Sequence, residues 1–301
     1  MVEDMRAASL TESAGGAVKT DRHMILRPMT QADIPAVHAL ARGEQWPHRT
    51  ADLSDMLAVG TGVVAEIGDA IVATTMWWPV GANVVTLGIV IVARSHRGAG
   101  IGRIIMEAAL DRIGADATVL LNATEDGLPL YRKLGFSGFA EIRQHQGAAF
   151  SAPLVPLGPG ERIRPIGASD HAPVAALVEA ATGLVRPAMM EVLLDKGHGI
   201  VLDRDGALEG VAIFRRFGRG YVIGPVVAAD ATRAKALIAQ WLGSRSGEFT
   251  RLDIDPETKL GPWLDELGII EVGRVVTMAR GTVPPRAGPQ RSYAIVSQAL
   301  G

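Results

Sequence analysis

The stretch Val90-Ile91-Val92-Ala93-Arg94-Ser95-His96-Arg97-Gly98-Ala99-Gly100-Ile101-Gly102-Arg103 decides the fold. It opens as an apolar run and ends on a Gly-rich turn, after which Ile101, Ile104, Ile105 and Ala108 recur at helical spacing. The pattern is strand, turn, helix. Gly98, Gly100 and Gly102 let the backbone pass close to a bulky anion, and the amides of Ala99 to Arg103 face out of the helix start, where the dipole favours negative charge. Arg97 and Arg103 add positive charge. A Walker loop needs Gly-Lys-Ser/Thr where Ile101-Gly102-Arg103 stands, and a dinucleotide fingerprint needs glycine at a position held by Arg103 or Ile105. R-x-x-G-x-G remains, a turn suited to a pyrophosphate, with an ordinary Gly-rich turn as the plainer alternative.

Upstream, residues 24–28 read as a strand closed by Pro28, and Thr30 opens a helix through Ile34, Val37 and Leu40. A helix over 51–59 follows, then strands over 62–67, 70–78 and 84–92, the first two joined by the hairpin turn Gly68-Asp69. Trp77 and Trp78, adjacent on a strand, must point to opposite faces. Downstream the pattern gives a strand over 118–122, a helix over 125–134 and a strand over 136–143.

Residues 151–160 are rich in Pro and Gly and read as a linker. Beyond it the opening returns. Leu26, Arg27, Pro28, Asp33, Val37 and Leu40 match Ile163, Arg164, Pro165, Asp170, Val174 and Leu177 at a constant offset of 137 residues. Tyr131 to Phe136 is echoed by Leu264 to Ile269, so the order of matches points to a duplicated unit.

The whole chain sets outer bounds. Its 301 residues suit two domains, and 48% hydrophobic with 21% charged residues can bury a full core. A net charge of -2 gives no reason to expect nucleic acid or an anionic membrane. There is no cysteine, hence no disulfide or thiolate chemistry, and the seven histidines form no HExxH-type pair, so no metal is expected. Residues 1–22 read as a loose tail without a signal-peptide core, and no apolar run is long enough to span a membrane, which leads to a cytoplasmic expectation.

The segment from Val90 to Gly102, with Asn122 and Leu130-Tyr131-Arg132-Lys133-Leu134-Gly135-Phe136 some thirty residues later, resembles the GCN5-related N-acetyltransferase (GNAT) superfamily over about residues 23–145. The resemblance implies acetyl-CoA as acyl-donor co-substrate, without a metal. Val90 and Val92 would pair by backbone with the pantetheine arm. Arg97, Gly98, Ala99, Gly100, Ile101, Gly102 and Arg103 would hold the pyrophosphate, and Asn122 would bond the pantetheine near the thioester. Tyr131 would act as general acid, because a phenol with pKa near 10 is protonated at neutral pH and can donate to a departing sulfur. The family often places a glutamate on the strand before the loop; Val85-Thr86-Leu87-Gly88 has none. Glu44 and His48, in the helix-helix connection that lines the acceptor site in this family, are the candidate bases, with a bound water as the alternative.

The stretches 209–216 and 221–228 resemble a second, diverged GNAT-like domain, as found in two-domain bacterial acetyltransferases, and residues 293–301 resemble their C-terminal strand. Where the first half has its Gly-rich turn, the second is read as having Gly224-Pro225 through Asp230, which lacks an amide and repels phosphate. Arg186, Arg215 and Arg216 are candidates to meet an acidic group of a substrate. The expected fold is α+β: tandem GNAT-type domains, each a mixed, largely antiparallel sheet flanked by helices. The expected boundaries are 1–22 tail, 23–150 catalytic domain, 151–160 linker, 161–282 diverged domain, and 283–301 a segment ending in a strand. The expected function is transfer of an acetyl group to a primary amine of a small molecule by direct attack in a ternary complex. A homodimer is the assembly considered. The alternatives are a non-catalytic acyl-CoA-binding sensor or interaction protein, and an oxygen-acyl or longer-chain acyl transferase.

Overall fold

The fold is given by a computed structural model that describes residues 24–301; the tail expected over 1–22 lies outside the described residues. The first half runs β1 (Met24–Pro28), α1 (Ile34–Gly43), α2 (Thr50–Ala58), β2 (Thr61–Ile67), β3 (Ala70–Pro79), β4 (Val84–Val92), α3 (Ile101–Ile113), β5 (Thr118–Ala123), α4 (Leu128–Lys133) and β6 (Ser137–Ala148). The second half repeats that order: β7 (Glu161–Pro165), α5 (His171–Thr182), α6 (Pro187–Lys196), β8 (His198–Arg204), β9 (Ala207–Phe217), β10 (Gly220–Ala228), α7 (Ala231–Ser244), β11 (Phe249–Ile254), α8 (Gly261–Glu266) and β12 (Ile269–Arg280). It then adds β13 (Arg291–Ala294).

The duplication extends to single contacts. Arg27 forks onto Asp33 at 2.8 and 2.9 Å and reaches Glu66 at 2.7 Å; Arg164 forks onto Asp170 at 2.6 and 3.0 Å and reaches Asp203 at 3.4 Å. Each pair fastens the first strand of its half to the helix start that follows, since Asp33 also accepts from the Thr30 amide and Asp170 from the Gly167 amide.

All the described strands form one sheet in the order β1-β2-β3-β4-β5-β12-β6-β11-β13-β10-β9-β8-β7. The sixth strand of each half lies beside the fifth strand of the other. β12 pairs with β5 (Thr277↔Asn122), β6 pairs with β11 (Leu252↔His145), and β6 and β12 pair with each other around a local two-fold (Ile269↔Gly147, Ala279↔Ser137). One core on one face joins both halves, packing Val37, Leu53 and Met56 with Val174, Val178 and Met190. Opposite it, α3 and α4 cover a second core in the first half, and α7 and α8 a third in the second.

Three elements differ from the sequence expectation. The helix expected over 125–134 begins only at Leu128, because the Gly127 and Leu128 amides close a turn on Thr124 O (3.0 and 3.2 Å) and Pro129 then fits the first helical turn. β6 continues to Ala148, because β11 and β12 pair along its length. The segment expected to end in a strand does not: β13 stops at Ala294, and residues 295–301 turn back, with the Gly301 amide on Ser297 O at 3.0 Å. The buried Arg186 draws the Leu300 and Gly301 carbonyls to 3.0 and 2.7 Å, which pulls this segment off the sheet line.

Candidate active site

β4 and β5 run parallel from Val84↔Thr118 to Leu87↔Leu121 and then part. The cause lies in β4: Ile89 has a φ of 52°, and the β3–β4 register shifts between Thr74 and Met76, a bulge that bends the strand away. Beyond it Ile91 and Val92 still pair with Thr74 and Ala73 of β3, but the edge of β4 facing β5 has no partner. Such an edge can take up an extended chain through backbone hydrogen bonds. The second half has the same wedge with a strand already in it. β10 and β11 pair at Tyr221↔Thr250 and Val222↔Arg251, and β13 then enters between them, antiparallel to both (Val227↔Ser292, Ile254↔Ala294).

At the end of β4 the Gly-rich turn leads into α3. Gly98 and Gly100 have φ of 81° and 80°, the left-handed region that L side chains avoid, so these two are set by backbone conformation. Gly102 is different: a Cβ there would sit 3.5 Å from Leu130 and Val92, an ordinary contact. The amides of Gly98, Ala99, Gly100, Ile101 and Gly102 have no acceptor among the described residues, whereas Arg103 and Ile104 bond Gly100 O at 3.0 and 3.1 Å. Five free amides at a helix start fit an anionic group. The flanking arginines contribute less charge than their number suggests: Arg97 and Arg94 reach the Glu44 carboxylate at 2.6 and 3.2 Å, and Arg103 reaches Glu107 at 2.7 Å.

A cavity of about 300 Å³ lies at the seam of the halves. Leu87 to Val90 of β4, Leu121 and Asn122 of β5, and Tyr131 of α4 form its floor. Trp46 and His48 come from the α1–α2 connection, Gln144 from β6, Phe217 and Arg251 from the second half, and Gln298 from the 295–301 segment. The Tyr131 ring packs on Phe136 at 6.0 Å and lies so close to Gly127 that a Cβ there would come within 2.7 Å. Burial pushes the Tyr131 phenol above its usual range, so it is protonated at neutral pH. Asn122 is not free to swing: its amide donates to Gln298 O at 2.9 Å and its carbonyl accepts from Thr277 at 2.8 Å.

The two candidate bases part company. Glu44 faces the turn; burial raises its pKa, but the hydrogen bonds of Arg97 and then Arg94 outweigh that and hold it below the usual carboxylate range. His48 stands in the cavity wall with its Nδ1 buried and unpartnered, 5.4 Å from the Phe217 ring. Burial first, and Arg251 second, lower its pKa to about 4, so its ring is neutral at physiological pH. Both adjacent tryptophans are core: Trp77 packs under α3, and Trp78 lies on the opposite face, donating to Met56 O at 2.7 Å. Trp46 alone of the three lines the cavity.

Part of the second half differs from the sequence expectation. Gly224-Pro225 stands within β10, level with the bulge of β4, and only Ala229 and Asp230 connect β10 to α7. Asp230 caps α7 by accepting from the Arg233 amide at 2.9 Å, so that helix start is already taken by a carboxylate. Arg186 is buried and Arg215 half-buried, both hold carbonyls of the 295–301 segment, and Arg216 lies over the Tyr221 ring. None of the three lines the seam cavity; Arg251 does, and sequence reasoning passed it over. Its one signal was the strand pattern Arg251-Leu252-Asp253, which puts an arginine and an aspartate on one face. Gln298 was equally hidden, since only the fold brings it to Asn122. Among the described residues no cluster of three His, Asp or Glu side chains could hold a metal ion, and no helix is long and apolar enough to cross a membrane.

Two family models, each described as an acetyltransferase (GNAT) domain, match residues 59–138 and 174–294, one in each half. The uncharacterized N-acetyltransferase YitH of Bacillus subtilis (strain 168) is 26% identical over 220 residues, 72% of this chain and 76% of that protein. Among solved structures, a Pyrococcus horikoshii protein assigned as an acetyltransferase superposes with a TM-score of 0.73 at 18% identity, covering 96% of this chain and 99% of that one. A GCN5-related N-acetyltransferase from Sphaerobacter thermophilus gives 0.63 at 15% identity over 88% and 97%. A tandem GNAT protein from the clavulanic acid biosynthesis pathway gives 0.63 at 14% identity over 86% and 98%. The likeness in fold thus runs along nearly the whole length of these three solved structures.

Proposed function

This chain is a tandem member of the GNAT family of acetyltransferases, and from that premise we propose that its first half moves an acetyl group from acetyl-CoA to a primary amine of a small molecule. The observation that carries the reading is the open wedge between β4 and β5, set between five free amides and the buried Tyr131. Bound there, acetyl-CoA supplies the activated acyl carbon. The free edge of β4 at Val90 and Val92 pairs with an extended arm, and the 98–102 amides, backed by the α3 dipole, hold the diphosphate. Arg97 and Arg103 add charge at the rim. Asn122 serves through its bonds to Gln298 and Thr277, fixing the rim of β5, and keeps one amide hydrogen for the arm.

Tyr131 donates a hydrogen bond to the sulfur as it departs. A thiol titrates near 8.5, below the tyrosine phenol at about 10, so a buried Tyr131 whose pKa is raised stabilises the leaving sulfur as a donor, and complete proton transfer is left to solvent. Glu44, bonded to two arginines, organises the turn and is withdrawn from the amine. His48 accepts a hydrogen bond from the incoming amine and orients it; with a pKa of about 4 it passes the proton on to water. Water, the alternative base, thus completes the route.

The test pairs turnover with binding. Tyr131→Phe is expected to lower CoA release from acetyl-CoA in the presence of an amine panel at least tenfold, with acetyl-CoA affinity by calorimetry within about twofold of the unaltered chain. Unchanged turnover removes the donor role of Tyr131. A wild-type chain with no heat of acetyl-CoA association removes the transferase reading. The second reading, an acyl-CoA sensor, is favoured by the lack of a free carboxylate in the cavity and predicts association without CoA release for any amine.

A further inference from the structure

The side chains around the seam cavity have an uneven charge. Arg251 and Arg274 line it and no aspartate or glutamate does. The adjoining depression, which shares Arg251, Gln144 and Phe217 with it, adds Arg219 and again no acid. Behind Phe217 stands the half-buried Arg215, 4.9 Å from that ring, with its Nε buried and unpartnered. Asp253 and Glu125, the partners of Arg251 and Arg274, stand outside this lining, so the cavity surface presents cationic side chains and no anionic one.

Arg251 is held in place for a partner. It comes from β11, and its Nε and Nη2 fork onto the fully buried Asp253 at 2.9 to 3.1 Å. Asp253 is itself fixed by Gln298 at 3.1 Å, the residue whose carbonyl holds Asn122. Within the protein Nη1 has no acceptor, so the outer end of the guanidinium is left to the cavity. A planar fork with one edge pinned and the other open suits a carboxylate. Arg251 also acts on His48, where it reinforces burial in keeping the ring neutral against the opposing charge of Asp52.

We propose that the acceptor is an amine carrying a carboxylate, an amino acid in the broad sense, with Arg251 of the second half seating the carboxylate and the first half presenting the acyl donor. The inference rests on the transferase reading above. It gives the second half a part in substrate choice, and it supplies the open end of the Arg251 guanidinium with an anionic partner.

The experiment is calorimetric titration of the full chain with glycine, 4-aminobutyrate, 6-aminohexanoate and L-glutamate, each against the matching amide, alongside CoA release with the same compounds. At least one acid is expected to bind tenfold or more tightly than its amide. In Arg251→Gln/Asp253→Asn, which removes both charges of the pair together, that preference falls below about twofold, and Arg251→Lys retains part of it. No preference for acid over amide anywhere in the panel overturns the proposal, as does a preference that survives in the double variant. CoA release without acid preference leaves the transferase standing and removes only this inference. An acid preference in a chain that fails to bind acetyl-CoA removes the transferase and keeps Arg251 as a carboxylate site.

Discussion

Gly100 and Gly102 stand two residues apart and are glycine for different reasons. At Gly100 the left-handed φ of 80° makes any side chain strained. At Gly102 the backbone is helical and a methyl group would meet only ordinary contacts, so nothing in the protein itself demands glycine. The remaining reason is the ligand. Gly102→Ala is therefore expected to leave the melting temperature unchanged or raise it, since alanine is favoured over glycine in a helix by about 1 kcal/mol. The same change should weaken acetyl-CoA association by tenfold or more in calorimetry. Intact affinity would show that the diphosphate lies elsewhere. At this scale the sequence was informative about the turn and about Tyr131, whose signals are local. It was silent on Arg251 and Gln298, which reach the cavity only through the meeting of β11 and the 295–301 segment with β5.

The wedge of the first half and the wedge of the second are the same element in two states. β4 and β5 leave theirs open; β10 and β11 hold β13, and Asp230 caps α7 where the first half has free amides. A backbone strand satisfies the edge that a pantetheine arm would otherwise satisfy, so the second wedge offers nothing to a donor. Calorimetry is expected to give one acetyl-CoA per chain, and Tyr131→Phe should leave that stoichiometry at one. A value near two would mean that β13 yields its place. The elements themselves were mostly legible in the sequence, because hydrophobic period and Gly or Pro boundaries are local. The wedge was not: it follows from a bulge at Ile89 and from where β5 stops pairing.

Over the whole molecule, the exchange of β6 and β12 and the core shared by α1, α2, α5 and α6 join the halves through one sheet and one core. A fragment of residues 24–150 would expose the helix face that meets Val174, Val178 and Met190 and leave the long β6 without β11 and β12. It is expected to lack a cooperative thermal transition by circular dichroism, where the full chain shows a single one; an independently melting fragment would show that the shared core is dispensable. The paired clamps give the unit an acid limit. Hydrogen bonds from Arg27 and Arg164 lower the pKa values of Asp33 and Asp170 from 3.8 to about 2. Carboxylates depressed in the folded state stabilise it fully above pH 3.8, and that contribution is lost as pH falls toward 2. Denaturant midpoints should drop across this window, and by less in Asp33→Asn, which has already lost one clamp.

The sequence alone determined the α+β duplication, the order of elements and the Gly-rich turn, because these rest on periodicity, repeat offset and the backbone freedom of glycine, all carried by neighbouring residues. Only the tertiary structure decided that the halves trade strands, that β13 fills one wedge while the other stays open, and that a second-half arginine stands in the first half's cavity. Those facts depend on pairings between residues more than a hundred positions apart, such as Thr277 with Asn122 and Leu252 with His145. No local pattern encodes them, since the choice among equivalent strand edges is made by packing of the whole chain.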